Sequence, residues 1–209
     1  MYRNGASVLD PSDLWTVHEY YLLENLAAPW VKDSLTNADG YEGSLFESWS
    51  QMDPTHWQFR LSRNETWSDG SPITPKQIED HFHRLSSIAA RHTLYLRNLQ
   101  QVETHDGDLT LSFSVPTDAT LLHELSLADT RLIHERNRQG DWRVTSGAYV
   151  VESEDRTKGV VVLVKTQRAP STAPDSIELV SWKPDENLAK RFQKEQIDLF
   201  RLTPPLYQP

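Results

Sequence analysis

Eight histidines and thirty acidic residues make a metal centre the first chemistry to consider. On a helix, His81 and His83 stand roughly 200° apart around the axis and face opposite ways. The position one turn beyond His81 is Leu85, not another ligand, and His92 follows about three turns later. Such spacing does not close a tetrahedral site, so no metal is expected and the histidines read as surface residues. Nucleophilic catalysis has no better footing. Ser146-Gly147 lacks the Gly-x-Ser-x-Gly elbow, and the chain has no cysteine, which excludes a thiolate nucleophile, thiolate–zinc sites and disulfides. The acidic groups Asp106/Asp108 and Glu152/Glu154/Asp155 fall in turns or at alternating strand positions, where solvated charge is the default. Asp39-Gly40, Asp69-Gly70 and Asp106-Gly107 are turn dipeptides without the oxygen-ligand spacing of a calcium loop. A phosphate-cradling glycine loop is absent from a chain with eight glycines. No catalytic residue and no cofactor is expected; the chemistry left is binding.

Composition bounds what can be bound. The 209 residues suffice for one large domain or two small ones, and seven Trp and seven Tyr promise aromatic packing. A net charge of −9 argues against nucleic acid, whose phosphates require clustered Lys and Arg. The longest apolar run, Val160 to Val164, has strand length and is far short of a membrane span.

The elements alternate in kind. Leu14 to Ala28 carries apolar residues at Leu14, Val17, Tyr21, Leu22 and Leu26 and reads as a helix ending before Pro29. Residues 37–40 form a turn, and Tyr41 to Trp49 is partly strand. His56 to Leu61 alternates as a half-buried strand, and Ser68 to Pro72 is dense turn chemistry. Thr74-Pro75-Lys76-Gln77 then starts a helix with a capping box and Pro at the first helical position, running to about Ala90 with Ile78, Phe82, Leu85 and Ile88 on one face. Leu99–Glu103 and Leu109–Val115 flank an Asp-Gly hairpin turn. A short helix begins at Asp118 or Thr120 and reaches Leu127. Tyr149–Ser153 and Val160–Thr166 make a second hairpin, and 168–174 is a loop. Ile177 to Trp182 is a strand, a helix of about ten residues follows Pro184, and Ile197 to Leu202 is a last strand. The class is α/β with a mixed sheet.

Several of these segments, in order, resemble bacterial extracytoplasmic solute-binding proteins of family 5, the oligopeptide and dipeptide binders of ABC transporters. Leu9-Asp10-Pro11, Leu23-Glu24-Asn25-Leu26, Leu45-Phe46-Glu47-Ser48-Trp49, Phe59 to Thr74 with its Trp-Ser-Asp-Gly-Ser-Pro, Thr145-Ser146-Gly147-Ala148-Tyr149 and Ile197-Asp198-Leu199 are similar to family motifs, collinear from Leu9 to Leu199. Asn25 stands where the family has Gly, and Phe46 where it has Ala.

The resemblance implies a periplasmic-binding-protein-like type II fold: lobe I from 1–29 and 142–209, an inserted α+β subdomain at 30–141, and a second lobe absent from this chain. It implies a small-molecule or peptide ligand gripped by lobe closure, no conversion of that ligand, and delivery to an ABC permease from a periplasmic or extracytoplasmic, lipid-anchored or free, intact protein. No export leader is visible at Met1 to Gly5, which reads as a start downstream of one. Peptide, oligosaccharide, nickel-complex and opine binders share the scaffold, so ligand identity stays open. By position, the cleft residues fall on Trp15, Thr16 and Val17, on a subdomain tyrosine best matched by Tyr95, and on the loop Thr145, Ser146, Gly147 and Tyr149. A glycine loop admits close backbone approach, and Trp and Tyr offer apolar shelves with polar tips. Core packing explains Trp15, Tyr95 and Tyr149 as well. A cytoplasmic transcription regulator with a solute-binding-like sensor domain is the rival, and an independent interaction module a third reading.

Overall fold

The computed structural model describes Leu9 and residues 17–87, 94–180, 190, 193 and 194. The start of the first helix at 14–16, the end of the second at 88–90, and the expected helix and strand beyond 181 lie outside the described residues. What is described is mixed α and β, as the sequence implies, built on two antiparallel sheets and a ribbon.

Helix α1 spans Val17–Leu26, β1 Val31–Asp33, β2 Tyr41–Gly43, β3 Phe46–Asp53 and β4 His56–Leu61. Helix α2 spans Pro75–Ser87, β5 Leu99–His105, β6 Asp108–Phe113 and α3 Thr120–Ser126. Strands β7 Tyr149–Asp155, β8 Val160–Lys165 and β9 Ser176–Val180 follow. The larger sheet has the order β3-β4-β6-β5, the smaller β7-β8-β9, and β1 pairs with β2 alone.

Alternation decides the larger sheet. Trp57 and Phe59 on β4 point into the same core as Leu109, Leu111 and Phe113 on β6, because successive side chains of a strand face opposite ways. Helix α2 lays Ile78, Phe82 and Leu85 into this core. An aromatic column runs through it: Trp30 lies 4.9 Å from Phe46 and 4.7 Å from Phe82, and Phe46 lies 4.5 Å from Phe59. The hairpin between β5 and β6 turns on Asp106 at φ 49° and Gly107 at φ 86°, the left-handed pair that a two-residue turn requires.

The capping box at the start of α2 is present. Thr74 N–H donates to Gln77 Oε1 at 2.9 Å, Gln77 N–H returns a bond to Thr74 Oγ1 at 3.3 Å, and the buried Trp67 indole N–H donates to the same Gln77 oxygen at 3.3 Å.

A second core gathers Leu22, Leu23 and Leu26 of α1 with Trp142, Tyr149, Val161 and Leu163. It is separate from the first, and the two meet along the chain where Ala28, Leu132 and Val144 of one stand next to or two positions from Ala27, Ile133 and Trp142 of the other.

Two expectations are corrected. His81 is not at the surface: it is 1 % exposed, and its Nε2 donates to Thr130 O at 3.0 Å. The buried face of α2 is Ile78, His81, Phe82 and Leu85, a three-and-four spacing that includes position 81 as much as 82. Tyr21, assigned to the apolar stripe of α1, is 47 % exposed while Leu23 is fully buried. The buried stripe is therefore Leu22, Leu23 and Leu26, turned about 100° from the expected one.

Candidate functional site

The segment Thr145 to Tyr149 links the two cores. Thr145, Ser146 and Gly147 are buried, as is Tyr149. Ser146 Oγ donates to Leu132 O at 2.6 Å and accepts the Ala28 N–H at 2.9 Å. Thr145 Oγ1 donates to Tyr149 O at 2.7 Å, closing the loop on itself. Thr145 and Ser68 exchange a reciprocal pair: Thr145 N–H to Ser68 Oγ at 3.0 Å, and Ser68 N–H to Thr145 O at 2.9 Å. Gly147 N–H donates to Leu26 O at 3.1 Å, and Thr166 Oγ1 donates to Gly147 O at 3.0 Å. Tyr149 O–H reaches Pro174 O at 2.9 Å. One five-residue strap thus holds the end of α1, the turn at Ser68, the carbonyl of Leu132 and the loop after β8.

Glycine at 147 is required by contact. A Cβ there would lie 2.5 Å from Leu26 C, 2.6 Å from Ala27 N and 2.6 Å from Asn25 O, all backbone atoms. The strap runs flat against the last turn of α1, where only glycine admits it.

Arg131 finishes that helix end. Its Nη1 donates to Ala27 O at 2.8 Å and Glu24 O at 3.1 Å, and Nη2 stands 3.7 Å from the Glu24 carboxylate. The last carbonyls of a helix have no intrahelical partner and carry its negative end; Gly147 N–H and the Arg131 guanidinium supply donors and charge. Burial pushes the guanidinium pKa down, and Glu24 draws it back.

Tyr95 belongs to the other core, half-buried against it. Its backbone is held by Glu124 of α3. The Glu124 carboxylate is 2 % exposed and accepts three successive amides, Leu94 N–H at 2.5 Å, Tyr95 N–H at 2.7 Å and Leu96 N–H at 3.2 Å. Burial pushes this carboxyl up, against the pull of the three amides. Burial first, and then the hydrogen bond with Asp118, push the Tyr95 phenol up.

The structure brings Thr145, Ser146, Gly147 and Tyr149 together in the strap and places Tyr95 on a separate anchor. Trp15 and Thr16 lie outside the described residues; Val17 begins α1, and only its backbone is described. Sequence reading missed Ser68, Glu124 and Arg131. Glu124 left a signal, a lone acid among Leu121, Leu122 and Leu125 on a seven-residue helix. The hydroxyl of Ser68 and the guanidinium of Arg131 left none, because their partners are far away in sequence.

The strap makes Ser146→Ala a direct test. With the hydroxyl gone, the buried Ala28 N–H and Leu132 O lose their shared partner, at about 1–3 kcal/mol. A lower urea midpoint at unchanged m-value is the expected result; an unchanged midpoint would show that the strap does not join the two cores.

A family model described as bacterial extracellular solute-binding proteins, family 5 Middle, matches residues 40–209. The chain is 24% identical over 240 residues to the periplasmic oligopeptide-binding protein OppA of Escherichia coli (strain K12), covering 98% of this chain and 43% of that protein. Among solved structures, OppA of Burkholderia pseudomallei superimposes with a TM-score of 0.73 at 16% identity, covering 91% of this chain and 43% of the other. The binding protein MoaA of A. tumefaciens R10, solved with mannopinic acid, does so with a TM-score of 0.76 at 17% identity, covering 91% and 41%. At such identities the solved structures establish the fold. The chain spans less than half the length of each of these proteins.

Proposed function

The chain belongs to the bacterial extracellular solute-binding proteins of family 5, whose model covers residues 40–209, and we propose that it is the N-terminal part of an ABC-transporter solute-binding protein capturing an oligopeptide or dipeptide for import. The observation that carries this reading is the family match itself, which takes in the whole strap from Thr145 to Tyr149. The similarity to an oligopeptide-binding protein supports a peptide ligand; the likeness to a mannopinic-acid complex keeps an opine as the alternative cargo to test.

In this reading lobe I is formed by 1–29 and 142–209, and 30–141 is the inserted subdomain. The two separate hydrophobic cores support that division. A second lobe, an ABC permease and a periplasmic or extracytoplasmic setting belong to the same proposal.

The strap and Tyr95 take different parts. The side chains of Thr145, Ser146 and Tyr149 bond inside the protein, so the strap acts by fixing α1, which Val17 begins and which Trp15 and Thr16 precede in sequence. Those three residues and Tyr95 contact the ligand. Closure of the second lobe then traps the solute, a shift of population between open and closed forms that ligand contacts on both sides favour.

The test compares the 209-residue chain with the protein carrying both lobes, by isothermal titration against a mixture of tri- to pentapeptides. The two-lobed protein is expected to bind, and the 209-residue chain to give no heat at micromolar concentration. Micromolar binding by the chain alone would overturn two-lobe capture, and failure of the two-lobed protein to bind any peptide would overturn the ligand class.

A further inference from the structure

The larger sheet ends differently at its two edges. At β5 the edge is occupied: α2 lies beside it, and Glu79 accepts the Thr104 N–H at 3.1 Å. At β3, pairing is with β4 alone among the described residues. Strand β3 is eight residues long, and from Glu47 to Asp53 every side chain but Trp49 is exposed. It contains no proline or lysine, the strongest of the residues that keep an edge from pairing with another chain, and its charges, Glu47 and Asp53, lie outside the run from Ser48 to Gln51. Irregularities between Phe46 and Ser48 and between Gln51 and Asp53 bracket a regular run from Ser48 to Gln51. That run is long enough to pair with four residues of an added strand.

Beside this edge lies an open hollow of about 650 Å³, walled by Tyr41 and Trp49 and rimmed by Asp39, Glu42 and Glu47. Glu42 sits opposite Lys32 in the ribbon; Glu47 has no cationic partner among the described residues. The field there is negative. After burial, Asp33 and Asp39 push the Tyr41 phenol up.

We propose that the β3 edge and this hollow form a docking surface for an extended, lysine- or arginine-bearing segment of a partner protein, added to the sheet as an antiparallel or parallel strand. The backbone of Ser48 to Gln51 supplies the ladder, which gives affinity without sequence preference. The hollow supplies selectivity: alternate side chains of an added strand point to one face, where Trp49 and Tyr41 offer their rings to a cation and Glu47 and Asp39 their charge. The surface is independent of the strap and of Tyr95, so it stands or falls apart from the transport reading.

Hydrogen exchange of the 209-residue chain tests it, with the peptide acetyl-Lys-Val-Lys-Val-Lys-amide as probe at millimolar concentration. The expected result is slowing of alternate amides between Ser48 and Gln51 by about tenfold, weakened by salt. The same peptide N-methylated at alternate residues should not protect them, because it cannot form the ladder. Acetyl-Glu-Val-Glu-Val-Glu-amide should not either. Glu47→Lys, an exposed substitution leaving the far-ultraviolet spectrum unchanged, should weaken the lysine peptide by about fivefold, as expected for one partly exposed ion pair. Absence of protection, equal protection by the acidic or N-methylated peptide, or protection without peptide in a sedimenting dimer would each overturn the proposal.

Discussion

Gly147→Ala lowers the unfolding free energy by about 3 kcal/mol or prevents folding, the upper end of what overpacking does. The reason is what the methyl group meets. Leu26 C, Ala27 N and Asn25 O would lie 2.5–2.6 Å from it, and none is the far end of a flexible side chain that can step aside. Either the strap lifts from α1, breaking the 3.1 Å bond from Gly147 N–H to Leu26 O, or the last turn of α1 unwinds. Gly70→Ala is the comparison. That glycine sits at φ +85°, and a methyl group there would meet nothing within 4 Å, so only backbone strain of about 1 kcal/mol is imposed. Guanidinium unfolding of both variants separates close approach from conformational freedom. Equal losses would remove the contact argument.

Glu124→Leu carries the second large effect, about 3 kcal/mol. The side chain is close in size, so little cavity is made. What changes is that the amides of Leu94, Tyr95 and Leu96 lose their common acceptor while remaining beside a buried core. Each buried donor left without a partner costs about 1–3 kcal/mol, and some will find water. Exchange of those three amides should accelerate well beyond that of β4 and β6. Accelerated exchange spread evenly over the sheet would show instead that Glu124 serves global stability alone.

Glu124→Gln isolates the charge. Burial raises the native carboxyl above its ordinary 4.5, so the folded chain holds its proton more tightly than the unfolded one. The contribution is fully present below 4.5 and is lost as pH rises through the native value. Wild type should therefore lose stability relative to Glu124→Gln between acid and neutral pH. The opposite slope would mean that the three amides outweigh burial.

Local devices and long-range ones differ in how far the sequence reveals them. The capping box from Thr74 to Gln77 and the Asp106-Gly107 turn are legible because every partner lies within three residues. Strand β1 leaves no trace in the pattern: three residues, Val31 to Asp33, are too few to show a period. Spacing does not separate the true buried face of α2 from its neighbour, since His81 and Phe82 fit equally and the bond from His81 to the Thr130 carbonyl, 49 positions away, is invisible to periodicity. The strap is visible as a motif, but not its use. Its polar groups look available to a ligand because their partners, Ala28, Leu132 and Ser68, are reached only through the fold. Thr145, Ser146 and Gly147 are residues of binding type whose groups are already bonded at home.

That distance has a consequence for how the chain is made. Ala28 and Ser146 are 118 positions apart, so the end of the first helix waits for its strap until residues 145–149 have been synthesised. Contacts that span so much sequence form late, after the entropy of a long loop has been met. A nascent chain on the ribosome, short of β8, holds Leu22, Leu23 and Leu26 without Val161 and Leu163 to cover them. Such a chain stays open to handling factors until β8 arrives.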